Sequence, residues 1–183
     1  MSSDVAPGGL GLVQAFVNSV ELPDGPDELG DPPGAATWIR QHGVAVTDVP
    51  PADHRRLIEV REALRDLLEA HTGNNVPGEP RVRLQKLLGK AALSPVVDAF
   101  GPGLVPVRAS GVDGFLGQIS AAIVEAGYRG TWERLKVCRS DTCRFAFYDT
   151  SKNTRAHWCS MRTCGTREKA RSYRARKKGS ETA

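Results

Sequence analysis

All four cysteines of this chain fall within 27 residues, in two pairs of identical spacing, Cys138-x4-Cys143 and Cys159-x4-Cys164. That pattern constrains the fold more than any other feature. Each pair can present two sulfurs from one short turn, and two such pairs supply the four thiolates of a tetrahedral zinc ion. Between the pairs, Arg144-Phe-Ala-Phe-Tyr148 alternates as a strand does, Asp149 to Asn153 is polar and turn-like, and Arg155 to Trp158 reads as a return strand. A helix-like basic segment, Thr166 to Lys178, follows the second pair. Turn, hairpin, turn, helix is the order of a treble-clef-like finger. Two disulfides and an iron–sulfur cluster are the competing readings. Disulfides suit an oxidising compartment, and the cluster-binding runs have shorter spacings. Four cysteines would complete the shell of one structural zinc, leaving no open position for a catalytic water and His157 as a strand residue or polar contact. Phe145, Phe147, Tyr148 and Trp158 then read as the small core such a module needs around its ion.

The basic segment carries the functional signal. Arg167, Arg171, Arg174 and Lys178 recur at i, i+4, i+7 and i+11, one face of a helix, with Lys169, Arg176 and Lys177 beside them. Arg155 and Arg162 add cations in the finger itself. One sign dominates, with Glu168 alone opposing it in the segment. Such a face, mounted on a rigid metal turn, predicts contact with nucleic acid. Structured RNA or a ribosomal site remains an alternative to duplex DNA, with Phe147, Tyr148 and Tyr173 available to stack on unpaired bases.

Charge divides the chain at the same place. Residues 1–133 hold 11 Lys/Arg against 17 Asp/Glu, a net of −6, whereas residues 134–178 hold 14 against 3, a net of +11. We therefore expect three parts: a body over 1–130, the finger over 134–178 and a disordered tail over 179–183. The body reads as mainly α-helical with one β-hairpin. Helices are expected over 10–20, over Ala35–His42 up to Gly43, from a start at Pro50-Pro51-Ala52-Asp53 to a stop at Gly73 with Leu57, Ile58, Val60, Leu64, Leu67 and Leu68 inward, over Arg81–Lys90, and over Val112–Ala126. Residues 21–34 read as a loop. Pro95–Phe100 and Leu104–Arg108 read as the hairpin, with Pro106 marking an edge strand. No secretory signal and no run of about 18 apolar residues is present, which predicts a cytoplasmic protein without membrane contact. Asp53, His54, Glu59 and Glu62 are the one acid–base cluster of the body, and their spacing is that of a solvated helix face, so no enzyme is expected.

Leu135-Lys-Val-Cys138, Cys143-Arg-Phe-Ala-Phe-Tyr-Asp149, Ser151-Lys-Asn153, His157-Trp-Cys-Ser-Met161 and Cys164-Gly-Thr-Arg167 closely resemble the CGNR zinc-finger family, named for its last Cys-Gly-Asn-Arg. This chain has Thr166 where Asn is usual; a threonine still serves at a helix N-terminus. The order of elements in the body, with Ala15-Phe-Val-Asn-Ser-Val20, Trp38-Ile39 and the helix from Arg56 to Leu68, resembles the ABATE domain that precedes this finger. The resemblance implies a bacterial-type, stress-induced transcription regulator. Its cysteines Cys138, Cys143, Cys159 and Cys164 would hold zinc, and residues 134–178 would bind double-stranded DNA. The body would take a small-molecule effector or hold a homodimer. A dimer is also attractive because one small finger recognises DNA weakly.

Overall fold

The computed structural model describes residues 5–73, 78–99 and 101–180, and for Arg176 and residues 178–180 the backbone alone. Helix α1 spans Leu10–Val17, shorter than the expected 10–20. The loop after it ends at Asp31, not at residue 34: Asp31 Oδ1 accepts the Gly34 N–H at 2.7 Å and Pro32 sits at the first helical position, so α2 runs Pro32–Gln41. Helix α3, Pro51–Glu69, also starts on a proline. It tightens into a 3₁₀ turn over Ala70–Thr72 and stops at Gly73, whose φ of 85° is a left-handed cap that glycine adopts without strain. Helix α4 covers Glu79–Leu88. Strands β1, Leu93–Asp98, and β2, Gly101–Pro106, form the expected antiparallel hairpin, with Leu93 opposite Pro106 and Asp98 opposite Gly101. Phe100 lies outside the described residues. Helix α5 spans Gly111–Tyr128. No helix among the described residues is long and apolar enough to cross a membrane.

The core sits where α1, α2, α3 and α5 meet. Phe16, Trp38 and Phe115 pack edge-on or tilted, with ring centroids 5.1 to 5.9 Å apart. Leu57, Val60, Leu64 and Leu68 of α3 and Leu116 and Ile119 of α5 close around them. Ile58 and Leu67, expected inward, are only half-buried. Two arginines share the inner face of α3 with the leucines. Arg61 forks onto Asp27 at 2.7 and 2.9 Å and also meets Ser19 and Glu62. Burial disfavours the Asp27 carboxylate, but the Arg61 hydrogen bonds outweigh it and hold this carboxyl below its ordinary range. Arg65, 1% exposed at its side chain, donates to Glu62, to the Val17 carbonyl and to the Arg144 carbonyl.

Arg144 belongs to the finger, and the packing runs straight across the boundary expected between residues 130 and 134. Strand β3, Leu135–Val137, pairs antiparallel with β4, Ala146–Tyr148. Leu135, Val137 and Ala146 are fully buried in the same cluster as Phe16 and Phe115. The partner of the 144–148 strand is therefore the segment before the first cysteine; Arg155–Trp158 is not a strand. The reason is on the free edge of β4. Asn18 Oδ1 accepts the Ala146 N–H at 2.7 Å and Asn18 Nδ2 donates to the Ala146 carbonyl at 2.8 Å, so a side chain of the body takes the place of a third strand. Helix α6, Thr166–Ser180, runs two residues into the segment expected as a tail; residues 181–183 lie outside the described residues.

Because Arg65 is buried and satisfies carbonyls from both parts of the chain, Arg65→Ala is expected to cost about 3–5 kcal/mol, the usual penalty for breaking a buried charged network. Urea unfolding of the zinc-loaded protein measures it; a loss below about 1 kcal/mol would show that the network contributes little.

Candidate metal centre and nucleic-acid interface

The β3–β4 hairpin carries the first cysteine pair at its turn. Cys138 directly follows Val137, its N–H donating to the Phe145 carbonyl, and Cys143 returns the chain through Arg144, whose φ is 45°. A left-handed conformation is costly for a side-chain-bearing residue. Here contacts on both sides hold it: the Arg144 guanidinium reaches Asp66 at 2.7 Å and Glu69 at 3.2 Å on α3, while Arg65 takes its carbonyl. The second pair enters differently. Ser160 Oγ accepts the Thr163 N–H at 3.2 Å and opens a single π turn, Met161–Gly165, which carries Cys164 and leads directly into α6. Thr166 does not cap the helix; its hydroxyl donates back to the Met161 carbonyl at 3.1 Å.

A buried ion pair folds the loop between the pairs. Asp149 accepts from Lys136 Nζ at 2.7 Å and from the N–H groups of Ser151 and Ala156, both at 2.9 Å, and Lys136 also donates to the Thr154 carbonyl. Burial works against the carboxylate, but these donors lower its pKa from 3.8 to about 2. Its contribution to stability is thus complete above pH 3.8 and disappears as the pH falls through 2.

The four Sγ atoms lie within 4.8 Å of one another and none is in a disulfide. Cys143 and Cys159 sulfurs are 3.7 Å apart, and Cys159 and Cys164 sulfurs 3.8 Å. A regular tetrahedron of sulfurs around zinc, with bonds of about 2.3 Å, has edges of about 3.8 Å. The donor set therefore fits one zinc ion. The electrostatics agree: hydrogen bonds from Cys143 and Cys159 hold Cys138 as a thiolate, pushed down to about 2, and the same contacts raise Cys143 to about 12 and raise Cys159 as well. A divalent cation would deprotonate the remaining thiols and offset the repulsion among four thiolates held so close. Backbone N–H groups of Ser140 and Cys159 point at the Cys138 sulfur and that of Phe145 at the Cys143 sulfur, the secondary hydrogen bonds that steady such ligands. His157 is no ligand: its Nδ1 contacts the Thr72 carbonyl at 3.0 Å, another tie to the body. Phe147 packs between Cys138 and Cys164, with Trp158 beside them, as expected of a finger core, whereas Tyr148 packs on the main core.

The seven expected nucleic-acid residues whose side chains are described are all on the surface. Arg155, Arg162, Arg167 and Lys169 are exposed, and none is in an ion pair or side-chain hydrogen bond among the described residues. Arg174 is exposed and folds its Nε onto the Ala170 carbonyl, and Lys177 is exposed. Arg171 is partly neutralised, by Glu168 at 3.1 Å and by Asp141 at 3.6 Å, an acid that sequence patterning misses because it is 30 residues away. The side chains of Arg176 and Lys178 lie outside those described. Arg139, missed in the same way, lines with Asp141, Trp158, Glu168 and Arg171 a cleft of about 430 Å³ at the foot of α6. The acid–base cluster of the body does not converge: His54 Nε2 contacts the Leu29 carbonyl at 2.7 Å and Glu62 is held by Arg61 and Arg65.

Two family models match. The ABATE model, described as "Putative stress-induced transcription regulator", covers residues 10–126, more than half of the chain. The chain belongs to the ABATE family. A CGNR zinc finger model covers residues 134–177. No curated protein matches the chain. The four cysteines thus form a site that could hold one zinc ion, in a CGNR finger whose first hairpin is built into the core of the ABATE body.

One zinc per chain is the expected content. Cys159→Ser and Cys164→Ser should each reduce it to near zero, since three thiolates and a hydroxyl forfeit most of the roughly 10–16 kcal/mol such a site supplies. Metal analysis after gel filtration checks this; stoichiometric zinc in both variants would contradict the assignment.

Proposed function

We propose that this ABATE protein is a zinc-dependent, DNA-binding transcription regulator of the cytoplasm, which reads duplex DNA with α6 and the turn before it. The observation that carries the proposal is the row of exposed cations on a helix seated on the metal centre. Helix α6 has 15 residues, about 22 Å of length, and packs mainly on the π turn that holds Cys164. A lone helix of this width enters a major groove. The π turn before it, which carries Cys164 and Arg162, would be fixed by the zinc, so Arg162, Arg167 and Lys169 approach the duplex in a fixed geometry, while Arg174 and the following cations extend along the phosphates. Phosphate contacts would set register, and any arginine reaching a guanine edge would set sequence. The body serves as the regulatory part, taking a small-molecule effector or pairing two copies so that two fingers share one operator.

Structured RNA is the second reading. The observation that favours it is Tyr173, 64% exposed in the middle of the basic helix. Phe147 and Tyr148 do not support it, since both are engaged in the cores.

If five to seven side chains meet phosphates, log K against log salt should fall with a slope of about −5 to −6. Changing Arg167 and Lys169 to Ala together should reduce that slope by about 2. Arg171→Ala should cost less than Arg167→Ala, because Glu168 and Asp141 already share its charge, and Glu168→Gln should tighten binding. Fluorescence anisotropy on genomic duplexes, with structured RNA as competitor, tests all of these. An unchanged slope in the double variant would remove α6 from the interface, and stronger competition by RNA would favour the second reading.

A further inference from the structure

The finger takes most of the positive charge of this chain, yet a second concentration of cations lies on the acidic body. Helices α3 and α4 flank an open cleft of about 380 Å³, within the range of small-ligand sites. Arg55 and Arg56 of α3, Arg83 and Lys86 of α4, and Lys90 just beyond α4 line it, against a single acid, Glu59. The expected fate of surface cations on a body with a net charge of −6 is dispersal among its acids. Here Arg55, Arg83, Lys86 and Lys90 are exposed, and none is in an ion pair or side-chain hydrogen bond among the described residues.

Helix dipoles account for part of this. Lys86 lies in the last turn of α4 and Lys90 just past it, where cations are favoured. They do not account for Arg55 and Arg56, which lie in the second turn of α3, beyond the reach of its terminal dipole. Arg56 is also the most constrained of the five. Its Nε donates to the Leu87 carbonyl at 2.9 Å and its Nη1 to Asp113 at 2.6 Å, while its Nη2 is the one buried side-chain nitrogen or oxygen without a partner among the described residues. A buried guanidinium N–H without an acceptor is disfavoured, and Arg56 is one of the residues that line the cationic cleft. No aromatic side chain among the described residues lines the cleft, and its apolar contribution is confined to Ala52 and Leu87.

We propose that this cleft binds a compact, non-aromatic small molecule carrying at least two phosphate groups. Two phosphates bridge the α3 and α4 cations and relieve their mutual repulsion. The lack of a stacking surface excludes a nucleobase as the main recognition element. This gives a site and a chemical class to the effector of the regulatory reading, on which it rests. The site also has a structural route to the finger, because α3 carries Arg55 and Arg56 at one end and, at the other, the Asp66 and Glu69 carboxylates that hold Arg144.

The test is calorimetric titration of the full zinc-loaded chain with fructose 1,6-bisphosphate at fixed ionic strength, beside inorganic phosphate and a short duplex. Both substitutions of the Arg83→Ala/Lys86→Ala variant are at exposed positions, so its fold should survive. Saturable binding of the bisphosphate is expected, at least tenfold tighter than inorganic phosphate. It should weaken at least tenfold in the Arg83→Ala/Lys86→Ala variant and stay unchanged in Arg167→Ala, which reports on α6 alone. Absence of bisphosphate binding, or equal affinity in the Arg83/Lys86 variant, would overturn the proposal. So would loss of binding in Arg167→Ala, which would place the anion on the finger. If duplex affinity falls as far in the Arg83/Lys86 variant as in Arg167→Ala, the cleft is a nucleic-acid surface and the small-molecule assignment is overturned. The DNA reading rests on the duplex titration of Arg167→Ala and fails independently of any of these.

Discussion

The guanidinium of Arg65 ties the two halves of this protein together. It is buried on α3 and donates to Val17 at the end of α1, to Glu62 on its own helix, and to Arg144 in the first cysteine turn. A fully buried charge is tolerated only where geometry satisfies it completely. The positions of α1, α3 and the metal turn are therefore mutually dependent. Arg144 reinforces this from the other side, accepting a left-handed backbone while its own guanidinium reaches back to Asp66 and Glu69. Asn18, which completes the free edge of β4, adds a third tie.

That dependence divides the finger into two parts with different support. The β3–β4 hairpin and Cys138 rest on the body: Leu135, Val137 and Ala146 are fully buried in its core. The second pair, the π turn and α6 have little besides the metal. Phe147, Cys138 and Cys164 form a minimal cluster around the site, and α6 buries almost nothing of its own. Zinc would thus join a half-site supported by the body to a segment that buries little of its own. On this account the basic helix would depend on the metal and the body would not.

Much of this is legible in the sequence, and the failures share a cause. The cysteine spacing brings out the four thiols that converge, Pro51 and Gly73 locate the start and the stop of α3, and hydrophobic periodicity finds α3 and α5. The return strand expected at Arg155–Trp158 is wrong because local alternation cannot reveal that Asn18, 128 residues away, occupies the edge of β4. Arg61 and Arg65 look like surface residues in a helical pattern; their burial depends on acceptors in distant segments. Asp141 escapes notice as a partner of Arg171 for the same reason, and so do the cations of α3 and α4, because the two helices meet only in the fold. Periodicity reports one element at a time, whereas the functional surfaces here are built where elements meet.

The central claim is that body and first cysteine turn form one core, with zinc organising only the second cysteine pair and α6. Hydrogen exchange of the zinc-loaded and chelated protein tests it most directly. The account predicts that amides of α1, α3, β3 and β4 keep most of their protection on chelation, while residues from Cys159 through α6 lose theirs. Loss of protection throughout the body, or retained protection in α6 without metal, would contradict it.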